Sequence, residues 1–153
     1  MNSITIREAS PADLPQLMQL IAQSDMSPDN CLTADQAKEL YNKIAATGCH
    51  TIYVAELNSA IVGTFSLIVV QQLSHNGAKS IIAEDVVVKS ELQGQGIGQQ
   101  MMKFATELGQ ALGCYKIALS SGNARTEAHA FYEKFGFKKD GYRFALELAK
   151  KSK

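Results

Sequence analysis

Three valines, Val86, Val87 and Val88, run toward three glycines spaced two apart, Gly94, Gly96 and Gly98, and a helical pattern opens directly behind them. A helix that starts just after a strand presents unpaired backbone N–H groups and the positive end of its dipole, and glycines there let an anion touch the backbone. The chemistry this spacing offers is a phosphate seat. A P-loop continues from its last glycine into Lys and then Ser or Thr, whereas Gly98 is followed by Gln99 and Gln100. A dinucleotide turn reads G-x-G-x-x-G, which this stretch does not. On the glycines alone, a plain structural turn fits as well as an anion site. Glu84 and Asp85 stand just before the valines, and strand alternation sends them to opposite faces, so at most one faces a given site. Farther on, Ala128, Phe131, Tyr132 and Phe135 share one helical face, a stripe that packing alone would also produce.

These residues need elements to hold them. Ser3–Ala9 alternates as a first strand, and Ser10-Pro11 opens a helix with Leu14, Leu17, Met18 and Ile21 on one face. Asp25–Thr33 is a polar loop around Pro28, followed by a second helix near Ala34–Ala46. His50–Leu57 and Ile61–Gln71 form a hairpin across Asn58-Ser59-Ala60, and Ile81–Val88 is the next strand. A helix over Gly96–Leu112, a strand over Tyr115–Ser120, a helix over Arg125–Phe135 and a last strand over Tyr142–Leu148 complete the order. The mixture of crossover and hairpin connections implies an α/β domain with a mixed sheet. No internal boundary is visible, so one domain over residues 1–150 is expected, with 151–153 a frayed tail.

The whole chain limits its partners. Its 153 residues are 46% hydrophobic, enough to bury one core. Fifteen Lys and Arg balance fifteen Asp and Glu, so no overall positive field draws it to nucleic acid or an anionic membrane. The longest apolar runs, such as Ile61–Val70, are too short to span a bilayer, and the opening MNSITIREAS has no basic-then-apolar pattern. A cytoplasmic protein is expected. Cys31, Cys49 and Cys114 lack CxxC spacing, which fits reduced thiols, and Cys49 and His50 are strand neighbours pointing apart, so no metal site is expected.

Taken together, Gln93-Gly94-Gln95-Gly96-Ile97-Gly98, the segment Cys114-Tyr115-Lys116-Ile117, Asn123 and AHAFYEKFGF over Ala128–Phe137 resemble the GNAT superfamily of N-acetyltransferases, in motif order and spacing, over roughly 81–144. The resemblance implies a GNAT fold: a mixed, mostly antiparallel sheet of six to seven strands, splayed between two central parallel strands, with about four helices. It implies acetyl-CoA as cosubstrate, its pyrophosphate on the turn Gln93, Gly94, Gln95, Gly96, Ile97, Gly98 and Gln99. It further implies that the pantetheine arm pairs with the backbone of Val86, Val87 and Val88, on a strand splayed from its neighbour Ile117–Ser121. Asn123 is either a turn residue or a pantetheine contact. The family often has Arg at the place of Gln93, and the loss of that charge here leaves the pyrophosphate to N–H groups and the helix dipole, with Lys134 and Lys89 as supplements.

Amide formation from a thioester requires a neutral amine, a polarised carbonyl and a proton for the departing thiolate. The resemblance makes Tyr132 the candidate general acid and Glu84 the preferred base, with Asp85 or water as alternatives; Phe131 and Phe135 are left to the core. No cysteine lies in a nucleophile motif, so direct attack without a covalent enzyme intermediate is expected. The acceptor is expected to be a small-molecule primary amine, with a protein or peptide amine, or a silent acetyl-CoA sensor, as alternatives. EDVVV, CYKI and FYEKFGF are similar to glucosamine-6-phosphate N-acetyltransferases, while the spacing from Arg125 to Tyr132 is similar to aminoalkylphosphonate enzymes. Between Arg7 and Lys38 there is no Lys or Arg, but Glu8, Asp13, Asp25, Asp29 and Asp35, a field that would favour a cationic amine over a phosphosugar. His129 either faces the acceptor or caps a helix turn, and His75 is expected to be exposed. Family members often pair through sheet edges, so a homodimer is a further expectation.

Overall fold

The computed structural model describes residues 3–24 and 32–149, and contacts gather them into two units, 1–119 and 120–153. Of the expected polar loop, residues 25–31 lie outside the described residues, including Pro28 and Cys31, as does the tail from Lys150.

In the first unit, strand β1 (Thr5–Glu8) leads to Ser10, whose N–H donates to the Asp13 carboxylate across 2.7 Å. A single 3-10 turn, Pro11–Asp13, then feeds helix α1 (Leu14–Ala22). Helix α2 (Ala34–Ala46) starts where a capping box puts it: the Gln36 N–H donates to Thr33 Oγ1 and the Thr33 N–H donates to Gln36 Oε1. Strands β2 (His50–Leu57) and β3 (Ala60–Val70) form the hairpin, and Asn58 and Ser59 at its tip are both left-handed, the twist a two-residue connection needs. A four-residue turn, α3 (Ser74–Gly77), with His75 and Asn76 also left-handed, connects to β4 (Lys79–Val88). Helix α4 (Ile97–Ala111) crosses over to β5 (Cys114–Leu119).

The sheet order is β1-β2-β3-β4-β5; the first three pairings are antiparallel, and only β4 and β5 run parallel. β3 is buried continuously from Ile61 to Leu67, as a strand covered on both faces must be. Ala9, Leu17, Leu20, Val54, Ile61 and Val87 make one cluster, and Tyr53, Phe65 and Phe104 stack in another. Gly63 lets α4 approach β3: a Cβ there would stand 2.9 Å from Met101 Sδ and 3.2 Å from the Val87 carbonyl. Arg7 ties the opening of the chain together. Its guanidinium makes two 2.8 Å bonds to the Asp13 carboxylate and a 2.7 Å bond to Glu56 on β2. This pairing holds the Asp13 carboxyl down at about 2.

The second unit contains helix α5 (Thr126–Phe135), which ends at Gly136 (φ 125°), with the Phe137 N–H donating to the Tyr132 carbonyl across 2.9 Å. That cap folds Phe137 back to Tyr132, ring centroids 5.6 Å apart.

Two expectations change. The described residues form one sheet of five strands rather than six to seven, and its parallel pair lies at the edge rather than the centre. The missing strand is Tyr142–Leu148, whose period-two pattern is intact but which pairs with nothing in the sheet. Hydrophobic alternation shows that a segment can be a strand, but the partner it requires must come from elsewhere. The helices expected are all present, with α3 an additional single turn.

Candidate functional site

The site begins where β4 loses one of its neighbours. β5 pairs with β4 only from Lys79↔Cys114 to Ala83↔Leu119, so the continuation Glu84–Val88 is held by β3 alone. Ile117–Leu119 therefore stand beside Ile81–Ala83 and not beside the valines. The Lys89 N–H donates inward to the Val62 carbonyl across 2.8 Å, and Val87 is opposite Thr64. By alternation, the polar backbone groups of Val88 and Val86 turn away from β3. The Val88 carbonyl accepts the Gln93 side-chain amide across 3.1 Å on that outward side.

A bulge produces this arrangement. Ser66 is opposite Glu84 while Thr64 is opposite Val87, so β4 carries one residue more than β3 between the two pairs. The extra residue is absorbed at Asp85, left-handed with φ 51°. Asp tolerates that region better than most L-residues because its short side chain can satisfy backbone groups locally. The expectation that alternation sends Glu84 and Asp85 to opposite faces assumed a regular strand; the bulge interrupts that period at Asp85, and both residues are exposed.

After the valines, a 3-10 turn (Ser90–Leu92) leads into Gln93. Gly94 (φ 77°) and Gly96 (φ 86°) are both left-handed, which is what glycine supplies here, since a Cβ at either would meet nothing within 4 Å. Gly96 caps α4, and the first intrahelical bond is from the Gln100 N–H to its carbonyl at 3.1 Å. The N–H groups of Ile97, Gly98 and Gln99 therefore precede the helical ladder and have no carbonyl partner within the helix. Gly98 and Gln99 are ordinary first-turn helical residues. No acidic side chain opposes the dipole in the first turn of α4, so an anion would meet only partial positive charge there. Lys89, expected as a supplement, is paired with Glu91 at 3.2 Å.

The remaining expected residues are on the second unit. Asn123 stands in a turn closed by the Arg125 N–H donating to the Gly122 carbonyl at 3.0 Å. His129 Nε2 lies 2.8 Å from the same carbonyl, so this histidine fastens the helix entry. Tyr132 is the buried member of its stripe, between Phe131 and Phe137 in edge-to-face contact, while Phe131 and Phe135 are half-buried. Burial pushes the Tyr132 phenol above its usual range, with the Arg125 charge opposing that rise, and the group stays neutral at physiological pH. Lys134 is exposed. Of the carboxylates in the acidic opening segment, Asp13 is buried and neutralised by Arg7, and residues 25 and 29 lie outside the described residues.

The acetyltransferase (GNAT) domain model matches residues 48–139, which takes in β2 to α5 and the site residues from Glu84 to Lys134. This chain belongs to the GNAT acetyltransferase family. A probable glucosamine 6-phosphate N-acetyltransferase 2 of Oryza sativa subsp. japonica is 32% identical to this GNAT chain over 150 residues, 94% of this chain and 87% of the relative. A crystal structure called a transcriptional regulator from Bacillus halodurans C-125 superposes with a TM-score of 0.89 at 27% identity, over 95% of this chain and all of that one. The glucosamine-6-phosphate N-acetyltransferase of Arabidopsis thaliana shares the GNAT fold at a TM-score of 0.84 and 24% identity, over 96% and 99% of the two chains. Membership makes the protein an acyltransferase. No helix among the described residues of this GNAT protein is long and apolar enough to cross a membrane.

Two features of the site escaped sequence reading. The Asp85 bulge has no signal beyond a polar residue inside a strand pattern. The Gln93 to Val88 bond had one, since a glutamine replaces the charge often found at that place and an amide can bridge to backbone.

Proposed function

We propose that this protein, as one acetyltransferase domain over residues 1–150, transfers acetyl from acetyl-CoA to the primary amine of a small molecule by direct attack. The observation that carries this reading is the outward backbone edge of Val86–Val88, unpaired by β5, running directly into the open left-handed turn at the start of α4. An extended amide-bearing arm fits the first as an added strand would, and a pyrophosphate fits the second. Gly94, Gln95, Gly96, Ile97, Gly98 and Gln99 offer N–H groups to the anion, while Gln93, whose own N–H is donated to the Ser90 carbonyl, holds the turn through its side-chain bond to Val88, with Lys134 and Asn123 as further contacts. An N–H of the valine segment polarises the thioester carbonyl. Tyr132, buried and neutral, gives its proton to the departing sulfur and regains one from solvent. Glu84, exposed beside the bulge, takes the proton from the attacking amine directly or through water.

Glucosamine 6-phosphate is the first acceptor to test. The rice relative bears that name over nearly the whole chain, and the acidic field that would oppose a phosphosugar is weaker than the sequence alone implies, because Asp13 is neutralised by Arg7. The same reading takes the working form to be a cytoplasmic homodimer.

The experiment is thiol release from acetyl-CoA by the purified protein with glucosamine 6-phosphate, glucosamine, aminoalkylphosphonates, polyamines and short peptides. Turnover on the phosphosugar at least tenfold above the other amines is expected. A preference for polyamines would return the acceptor to cationic amines. Acetyl-CoA binding without turnover on any of them would leave the protein a sensor.

A further inference from the structure

Thr64 and Ser66 stand two residues apart on β3, so their side chains lie on one face of the sheet, and both residues are buried, 2% and 5% exposed. Thr64 Oγ1 donates to the Tyr53 carbonyl across 2.8 Å. The Ser66 hydroxyl has no hydrogen-bond partner among the described residues. A buried hydroxyl left unbonded costs free energy, so its retention needs a reason. The side-chain atoms both sealed and unpartnered among the described residues are His50 Nε2 and Ser121 Oγ. Ser66 Oγ is not one of them, so the small opening left to this residue includes its oxygen, where a water can reach.

The face is fixed by its neighbours. Ser66 is opposite Ile52 and Thr64 opposite Val54, and both partners join the cluster that holds Leu17 and Leu20 of α1. Phe65, between the two hydroxyls, instead meets Phe104 of α4 on the other side. On β4, Ser66 is opposite Glu84 and Thr64 is opposite Val87, which belongs to the α1 cluster as well. Residues three apart on a regular strand face opposite ways, but the extra residue at Asp85 brings Glu84 and Val87 to the same face. The bulge therefore puts the exposed Glu84 on the Ser66 side, with Cβ atoms about 5 Å apart as in any directly opposed pair. Glu84 also forms no hydrogen bond or ion pair among the described residues. Two unengaged polar groups thus share one face immediately after Ala83, the last residue of β4 that β5 pairs.

We infer that Ser66 is a positioning residue for acetyl transfer, holding the water through which Glu84 takes the amine proton. The water oxygen accepts the Ser66 O–H and the amine N–H, and the water donates one of its own hydrogens to the Glu84 carboxylate. As the amine nitrogen bonds to the thioester carbon, its proton passes to the water and a water proton passes to Glu84, so the water is regenerated. The C–S bond then breaks, the sulfur leaves with its electron pair and takes the Tyr132 proton, and Glu84 releases its own to solvent. An unpartnered donor beside the carboxylate is what such a water needs and what direct transfer does not use. The inference rests on the base proposed above and selects the water-borne route for it.

The test is a double-mutant cycle read by initial rates with acetyl-CoA and glucosamine 6-phosphate, or whichever amine of the panel is turned over fastest. It compares wild type, Ser66→Ala, Glu84→Gln, the double variant and Ser80→Ala, with circular dichroism to verify each fold. Ser80 is another buried serine without a partner among the described residues, 8% exposed, but it is opposite Val70 and Lys116 rather than a carboxylate. Its loss reports what deleting a buried hydroxyl does by itself. Ser66→Ala is expected to lower kcat about tenfold with acetyl-CoA affinity within about twofold, and Ser80→Ala to leave both unchanged. In the Glu84→Gln background, Ser66→Ala is expected to cost less than about twofold, because the serine acts through the carboxylate. A Ser66→Ala loss that is absent, equal in both backgrounds or matched by Ser80→Ala overturns the inference and leaves acetyl transfer standing. A Glu84→Gln variant as fast as wild type removes the base and the inference with it. A wild-type protein that turns over none of the amines overturns the acetyl-transfer reading and this inference together.

Discussion

The side-chain amide of Gln93 donates to the backbone carbonyl of Val88 across 3.1 Å, pinning the glycine turn to the outward edge of β4. One uncharged residue thereby fixes the spacing between the surface proposed for the pantetheine arm and the one proposed for the pyrophosphate. Replacing it with Leu removes a bond worth about 1 kcal/mol, and KM for acetyl-CoA is expected to rise about fivefold with kcat little changed. Gln93→Arg retains a donor and adds a charge, so KM is expected to fall at low salt and return toward the wild-type value at high salt. Initial rates at two ionic strengths check both; an Arg effect that ignores salt would remove the turn from the anion site.

Tyr132→Phe keeps the ring and deletes the proton. A loss in kcat of about 10²-fold or more is expected, with acetyl-CoA affinity by titration calorimetry within about twofold of wild type. The neutral phenol is the active form, and burial raises its titration above the ordinary 10.0, so wild-type activity should persist to that pH and fall only above it. The variant should lack that alkaline limb. Equal kcat values would reduce Tyr132 to packing.

Asp85 holds a positive φ that glycine accepts freely. Asp85→Gly is expected to leave stability unchanged or raise it by up to about 1 kcal/mol, and Asp85→Val to lower it by about 1–2 kcal/mol. Urea midpoints at unchanged m-value measure this. If Val is tolerated as well as Gly, the bulge is not held by this residue.

The Arg7–Asp13 pair predicts an acid limb. The Asp13 carboxyl titrates at about 2 when folded against 3.8 ordinarily, so its contribution is complete above the ordinary value and disappears as pH falls through 2. The size is on the order of 2 kcal/mol, since the carboxylate is buried. Urea stability measured from pH 6 to pH 2 should fall more steeply for wild type than for Asp13→Asn. Parallel curves would show that the pair is electrostatically idle.

The start of α2 was legible where the polar loop gives way at Ala34, and the capping box of Thr33 and Gln36 is the physical reason for it. The hairpin was legible from Asn58-Ser59, and the glycine turn from Gly94 and Gly96, whose left-handed conformation most other residues adopt only at a cost. Asp85 was not legible, because a bulge is decided by how many residues the neighbouring strand presents, which is a property of the pairing. Tyr142–Leu148 was half legible: its alternation is local, but whether a strand forms depends on a partner. The status of Asp13 was hidden for a similar reason, since Arg7 is near in sequence but the third member of its network, Glu56, comes from a different strand.

Solvent deuterium should see β4 as two strands laid end to end. From Ser80 to Ala83, with a neighbour on each side, every amide is shielded and exchange should be uniformly slow. Beyond the bulge the protection should become a comb, slow at Val87 and Lys89 and fast at Val86 and Val88, because only alternate amides point at β3. Acetyl-CoA would fill the gaps of that comb, so the ligand would be visible as the conversion of alternating exchange into continuous protection along a strand that barely moves.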